Sequence, residues 1–102
     1  MRMLITPDIL KEFKDRMHLD DDEDENLMRI LRASHEDLAR ICGKYDIHTH
    51  EVFKELVFER SRYAYNDALE FFYNNFQTQI TNLNLGKALE SIQIEGDSTA
   101  TI

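Results

Sequence analysis

The sequence predicts an all-α fold: a small helical bundle of three main helices, the third long and C-terminal, followed by a flexible tail. Three observations predict it. Apolar residues recur at spacings of three and four in three separate stretches. Capping residues stand where those stretches begin and end. The run from Val52 to Ile80 contains neither glycine nor proline. A chain of 102 residues suits one domain with one modest core, and 42% hydrophobic residues are enough to build it. The expected division is a helical domain over 1–84 and a flexible C-terminal arm over 85–102.

The first helix starts at Thr6-Pro7-Asp8, with Thr6 as N-cap, Pro7 at the first helical position and Asp8 against the macrodipole. Ile9, Leu10, Phe13 and Met17 make its apolar face, and it should end near His18. DDDEDE, Asp20 to Glu25, follows. Asp20, Asp22 and Asp24 alternate as calcium ligands do, but the sixth loop position is Glu25 where glycine is needed. The twelfth is Leu31, where a bidentate glutamate belongs. The run is better read as the acidic start of a second helix, whose dipole it complements. Leu27, Leu31, Ser34, Leu38 and Ile41 carry that helix to Gly43, a natural C-terminal residue.

Gly43 to Glu51 connects to the third helix, with Thr49 or His50 near its cap. His48 and His50 with Cys42 suggest zinc, yet no further ligand stands at a recognisable spacing, so no metal and no cofactor are expected. Exposed loop histidines can instead serve partner contacts.

From Val52 the third helix is expected to run about thirty residues, or roughly 45 Å. At 100° per residue Phe53, Val57, Ala64, Ala68 and Phe71 form one stripe, which should meet the other helices. Phe58, Tyr65, Leu69 and Phe76 form a second row, with Ile80 beyond it. Two short partners cannot cover both rows, so the second is expected to be a subunit interface. After Leu85-Gly86, Ser91 to Glu95 alternate polar and apolar residues as a strand does. An all-helical domain offers it no internal partner, and it could add to another protein's sheet edge.

The net charge is −8, and the pI is about 4.8. Twelve basic residues scattered among twenty acidic ones disfavour tight nucleic-acid binding, which needs clustered cations. No run is long enough to span a membrane. No secretory h-region is present, and a single cysteine fits a reducing, cytosolic setting. No nucleophile–base pair, GxGxxG or phosphate loop appears, so an enzyme is not expected.

ITPDILKEF, DENLMRILRASHEDLARICGKY and RSRYAYNDALEFFYNNFQTQITNLNL together resemble the head-completion, or head–tail connector adaptor, proteins of long-tailed bacteriophages, across about residues 5 to 85. The resemblance implies a ring, usually a dodecamer, that docks beneath the portal protein after DNA packaging. Such a ring extends the DNA exit channel and offers a platform to the stopper protein. DNA passes through it without specific binding. Localisation would be the virion, and the host cytoplasm during assembly. Carried over by position, Arg60, Arg62 and Tyr73 join Phe58, Tyr65, Leu69 and Phe76 at subunit contacts. Leu85, Leu89, Ile92, Ile94 and Ile102 belong to a portal-gripping arm, and Tyr45, Ile47, His48 and His50 to a loop facing the stopper. The DDDEDE run is more acidic than the resemblance requires. Its alternative reading is a DNA-mimic regulator that blocks a DNA-binding enzyme, although the carboxylates cluster at one helix start and are not spread along a face.

Overall fold

A computed structural model describes residues 5–19 and 22–96. Helices follow in the order α1 (Pro7–Met17), α2 (Asp24–Cys42), α3 (Glu51–Tyr65), α4 (Phe72–Asn75) and α5 (Gln77–Gly96), with a 3-10 turn at Leu69–Phe71 before α4. Among the described residues there is no strand, and the fold is all-α.

The Thr6 hydroxyl accepts a hydrogen bond from the Ile9 N–H at 3.3 Å, so α1 begins on the cap its sequence announces. It ends at His18, whose φ is 58°. The Leu19 N–H donates to the Lys14 carbonyl at 2.9 Å and the His18 N–H to that of Asp15 at 3.2 Å. This is a Schellman closure, with an L-residue in the place usually held by glycine. Ile9, Leu10 and Phe13 are buried.

In α2 the residues Leu27, Leu31, Ser34, His35, Leu38 and Cys42 are buried, a face one helix long with the spacing a 3.6-residue repeat demands. Gly43 ends the helix at φ 105°, ψ 168°, a region open essentially to glycine alone. A Cβ there would also stand 2.4 Å from Cγ of Lys87. Gly43→Ala is therefore expected to cost about 1–3 kcal/mol, read as a lower urea midpoint with an unchanged m-value.

His50 caps α3 with its ring: Nδ1 accepts from the Phe53 N–H at 3.1 Å. The expected thirty-residue rod does not form. α3 stops at Tyr65, where Asp67 takes φ 58°. The Ala68 N–H donates to the Tyr63 carbonyl at 2.8 Å and the Asp67 N–H to that of Ala64 at 3.1 Å, a second Schellman closure without glycine. What holds the chain in this turn is the burial it permits. Past the turn Phe72 is completely enclosed, stacked on Phe76 at 5.1 Å and edge-on to Tyr63 at 5.8 Å. Enclosing a phenylalanine contributes about 1.5–3 kcal/mol, more than the roughly 1–2 kcal/mol that a left-handed L-residue costs.

The turn also changes which residue of the FF pair goes inside. A continuous helix puts Phe71 on the core stripe; here Phe71 is 58% exposed and Phe72 is buried. α5 then returns across the end of α2. The Asn84 amide donates to the Ile41 carbonyl at 2.8 Å, and the Tyr45 hydroxyl to the Leu83 carbonyl at 2.5 Å. Among its described side chains Ile80 and Leu83 are buried. The helix continues through Leu85 to Gly96, so the alternation over 91–95 belongs to a helix. A helix meets its own backbone hydrogen-bonding demand, whereas a lone strand cannot. The body measures 57 × 32 × 19 Å, with a radius of gyration of 15.7 Å, larger than the ~13 Å of a compact chain of this length.

Candidate functional site

Two features remain after the core is accounted for: a polar cluster joining α2, α3 and α4, and an apolar row on α5.

The polar cluster is centred on Arg60. Its Nε donates to the Tyr73 hydroxyl at 2.9 Å and its Nη1 to the Ser34 hydroxyl at 3.1 Å. Ser61 donates to Ser34 at 2.9 Å, with both serines fully buried. The Tyr73 hydroxyl donates to Asp37, which also lies 3.4 Å from Arg60 Nε and pairs with Arg40 at 2.6 Å. Small hydroxyls at positions 34 and 61 let α2 and α3 approach closely while leaving room for the guanidinium. Burial pushes the Asp37 carboxyl up, but hydrogen bonds from Tyr73 and Arg40 and the charge of Arg60 outweigh it and leave the group below its ordinary value. Burial, with the bond to Asp37, holds the Tyr73 phenol above its usual range. Among the described residues no buried side-chain nitrogen or oxygen lacks a hydrogen-bond partner. A cluster so fully hydrogen-bonded holds α2, α3 and α4 together.

This cluster decides several predicted sites. Arg60 and Tyr73 were expected at a subunit contact, but both are spent within their own chain, and the Arg60 side chain is only 12% exposed. Phe58 is corrected outright: it is fully buried. The short α1 lies over it, Phe13 at 5.5 Å between ring centres and the Arg16 guanidinium at 5.6 Å, and the pairs Arg16–Glu55 and Lys54–Glu12 tie α1 to α3. Tyr65, Leu69 and Phe76 are half-buried against the same core. Arg62 is exposed and reaches Glu59 at 3.5 Å.

The loop expected to face a stopper is also largely committed inward. Ile47 is buried in the core, because Asp46 turns the chain there: its carboxylate accepts from the His48 N–H at 2.9 Å. Tyr45 is half-buried between His50 at 4.4 Å and Phe53 at 5.7 Å, with the Lys87 ammonium 4.5 Å from its ring centre. His50 is used as the α3 cap, and of the four only His48 is exposed. Cys42 is buried, which raises its thiol above the ordinary value. Among the described residues no three His, Cys, Asp or Glu side chains converge as a metal site would require.

His35 was missed by sequence reading, which saw only the apolar repeat around it. It is buried with its ring edge-on to Phe53 at 5.4 Å. Burial and the nearby His48 lower its pKa from 6.5, against a smaller opposing pull from Glu36. A base depressed in the folded state adds stability above its unfolded pKa and loses it as pH falls. Stability should therefore decline on acidification from about pH 6.5, and His35→Gln should flatten that limb in urea titrations at successive pH values.

A recess of about 260 Å³, lined by Tyr73, Asn74, Gln77, Ile80 and Thr81, is shallow and open, a groove between α4 and α5. The α5 row is different in kind. Leu85, Leu89 and Ile92 are 52%, 57% and 60% exposed. Their spacing of four and three puts them on one face, turned away from Ile80 and Leu83. The predicted arm residues are thus brought together as a helical row; the Ile94 side chain and Ile102 lie outside the described residues. No helix is long and apolar enough to cross a membrane among the described residues. Comparison with known proteins finds no matching family model, no matching curated protein and no matching solved structure.

Proposed function

We propose that the chain is a structural, non-enzymatic subunit of a phage head–tail connector: an adaptor that forms a ring under the portal, extends the DNA exit channel and carries the stopper. The observation that supports this reading best is the α5 row. Three large aliphatic side chains left outside by their own chain, on a helix that runs out from the body, suit a surface completed by other proteins. The portal-gripping arm is then a helix presenting Leu85, Leu89 and Ile92. The likeness of residues 5 to 85 to the adaptor family points the same way, and an acidic surface keeps DNA from adhering to a channel wall.

The DNA-mimic alternative is less well supported, because many carboxylates are engaged internally. Asp37 holds Arg60 and Arg40, Glu12 holds Lys54, Glu55 holds Arg16, and Asp24 lies 2.6 Å from Lys14. A phosphate mimic must instead leave its charges free.

The test mixes the purified protein with connector-free portal rings and measures co-sedimentation. Stoichiometric co-sedimentation is expected, abolished in a chain truncated after Leu85 that keeps its helical circular dichroism. Full docking by the truncated chain rejects the arm, and failure of the intact chain to bind portal rejects the connector reading. Competition for a DNA-binding protein, with no portal binding, would favour the mimic.

A further inference from the structure

The helix proposed to grip the portal touches the connection expected to face a stopper. Two of the chain's three glycines stand on the two sides of that contact. Gly43 gives the Lys87 stem its seat, since a Cβ there would lie 2.4 Å from Cγ of Lys87. Gly86, inside α5, does the same for Tyr45, whose hydroxyl lies 3.1 Å from where a Cβ would be. A glycine inside a helix weakens it; the close approach of Tyr45 is what this one permits in return.

Three polar contacts then fasten the two elements. The Tyr45 hydroxyl donates to the Leu83 carbonyl at 2.5 Å. The Asn84 amide donates at 2.8 Å to the Ile41 carbonyl, one of the acceptors that the last turn of α2 leaves without a helical partner. The Lys87 ammonium lies 4.5 Å from the Tyr45 ring centre. Beyond Tyr45 the contacts continue: its ring packs on His50 at 4.4 Å, and Nδ1 of His50 accepts from the Phe53 N–H at the start of α3. Tyr45 therefore stands between α5 and the cap of α3.

α5 itself is lightly anchored. Among its described side chains only Ile80 and Leu83 are buried, and segments with few buried apolar contacts open as units below the free energy of global unfolding. We propose that Tyr45 is a latch: α5 and the connection 43–50 open and close as one unit, so that a partner drawing α5 from the body also frees the connection. Release uncovers Tyr45 and His50, which the closed form keeps turned inward. Naming those partners as portal and stopper rests on the connector reading; the coupling itself belongs to one purified chain.

Native-state hydrogen exchange of the full chain, followed residue by residue by NMR, tests the latch. The double variant Asn84→Ala/Lys87→Ala cuts two of the three fastenings from the α5 side and leaves every residue from 45 to 54 in place. Alanine is a strong helix former, so any loosening comes from the lost contacts. Exchange at the His50, Phe53 and Lys54 amides should rise roughly tenfold together with that of residues 83–90, while Leu31 and Ser34 in α2 keep their native rates. His50→Asn retains a capping acceptor and acts from the opposite side. It should speed exchange across residues 83–90 roughly threefold, because coupling between two sites is reciprocal. Faster exchange confined to α5 in the double variant, with His50, Phe53 and Lys54 unchanged, overturns the latch. An equal rise at Leu31 and Ser34 also overturns it, because α5 and the connection then open only with the whole fold. Either result leaves portal co-sedimentation untouched, and an intact chain that fails to bind portal leaves the exchange result standing.

Discussion

Phe58→Ala is expected to destabilise the isolated chain by about 3–5 kcal/mol, a large part of the 5–15 kcal/mol that a small domain possesses. Phe58 is enclosed by its own subunit, with Phe13 5.5 Å from its ring centre and Arg16 over its face. Truncation leaves a cavity between α1 and α3, and the pairs Arg16–Glu55 and Lys54–Glu12 restrain the collapse that would fill it. The melting temperature should fall by about 4–8 °C for each kcal/mol lost. A residue at a subunit boundary would behave in the opposite way, leaving the monomer's urea midpoint intact and weakening assembly alone. Urea unfolding of the dilute variant separates the two outcomes, and an unchanged midpoint would mean that Phe58 faces outward.

Arg60→Ala should be the second severe change, costing about 2–3 kcal/mol. One substitution removes the donors to Tyr73 and Ser34 and takes one of the two positive charges beside Asp37. Tyr73 and Arg40 continue to satisfy Asp37, which keeps the cost below that of a wholly orphaned buried carboxylate. The loss should also be pH-dependent. Asp37 has its folded pKa below the ordinary 3.8, so its stabilisation is present above that value and disappears as pH falls through the folded one. Without Arg60 the carboxyl moves upward and its contribution shrinks. The variant should accordingly show a shallower acid limb than the native chain below about pH 4. Arg60→Lys should recover only part of the stability, because an ammonium cannot reach Tyr73 and Ser34 with two fixed donors. Equal stability of the native chain and Arg60→Ala in urea would show that the cluster contributes nothing to holding α3 against α2 and α4.

The contrast between Phe58 and Leu89 illustrates what could be read from the pattern and what could not. Both are large, apolar and set in helical repeats. Periodicity assigns a residue to a face, but it does not say how many neighbours the fold will bring to that face. Counting two short helices against two apolar rows left the second row uncovered. In the structure α1 reaches across to cover Phe58, and the fold-back at Asp67 brings Phe72 and Phe76 against Tyr63. The unshielded apolar row lies instead on α5, where the alternation of Ser91 to Glu95 suggested a strand. Period-two alternation over five residues is too short to outweigh an unbroken helix on its N-terminal side.

By itself the sequence determined the all-α class, the starts of α1 and α3, the core faces of α1 and α2, and the end of α2 at Gly43. Each depends on interactions within one or two turns of helix: a hydroxyl or imidazole reaching an N–H, a 3.6-residue repeat, a backbone angle open only to glycine. Tertiary structure alone decided that α3 stops at Tyr65, that Phe72 and not Phe71 enters the core, that Arg60 joins three helices, and that the exposed row lies on α5. Neither His18 nor Asp67 marks a helix end by residue type. At Asp67 the left-handed angle is offset by the contacts of Phe72 and Phe76 with Tyr63 across the turn, and such contacts leave no periodic trace in the sequence.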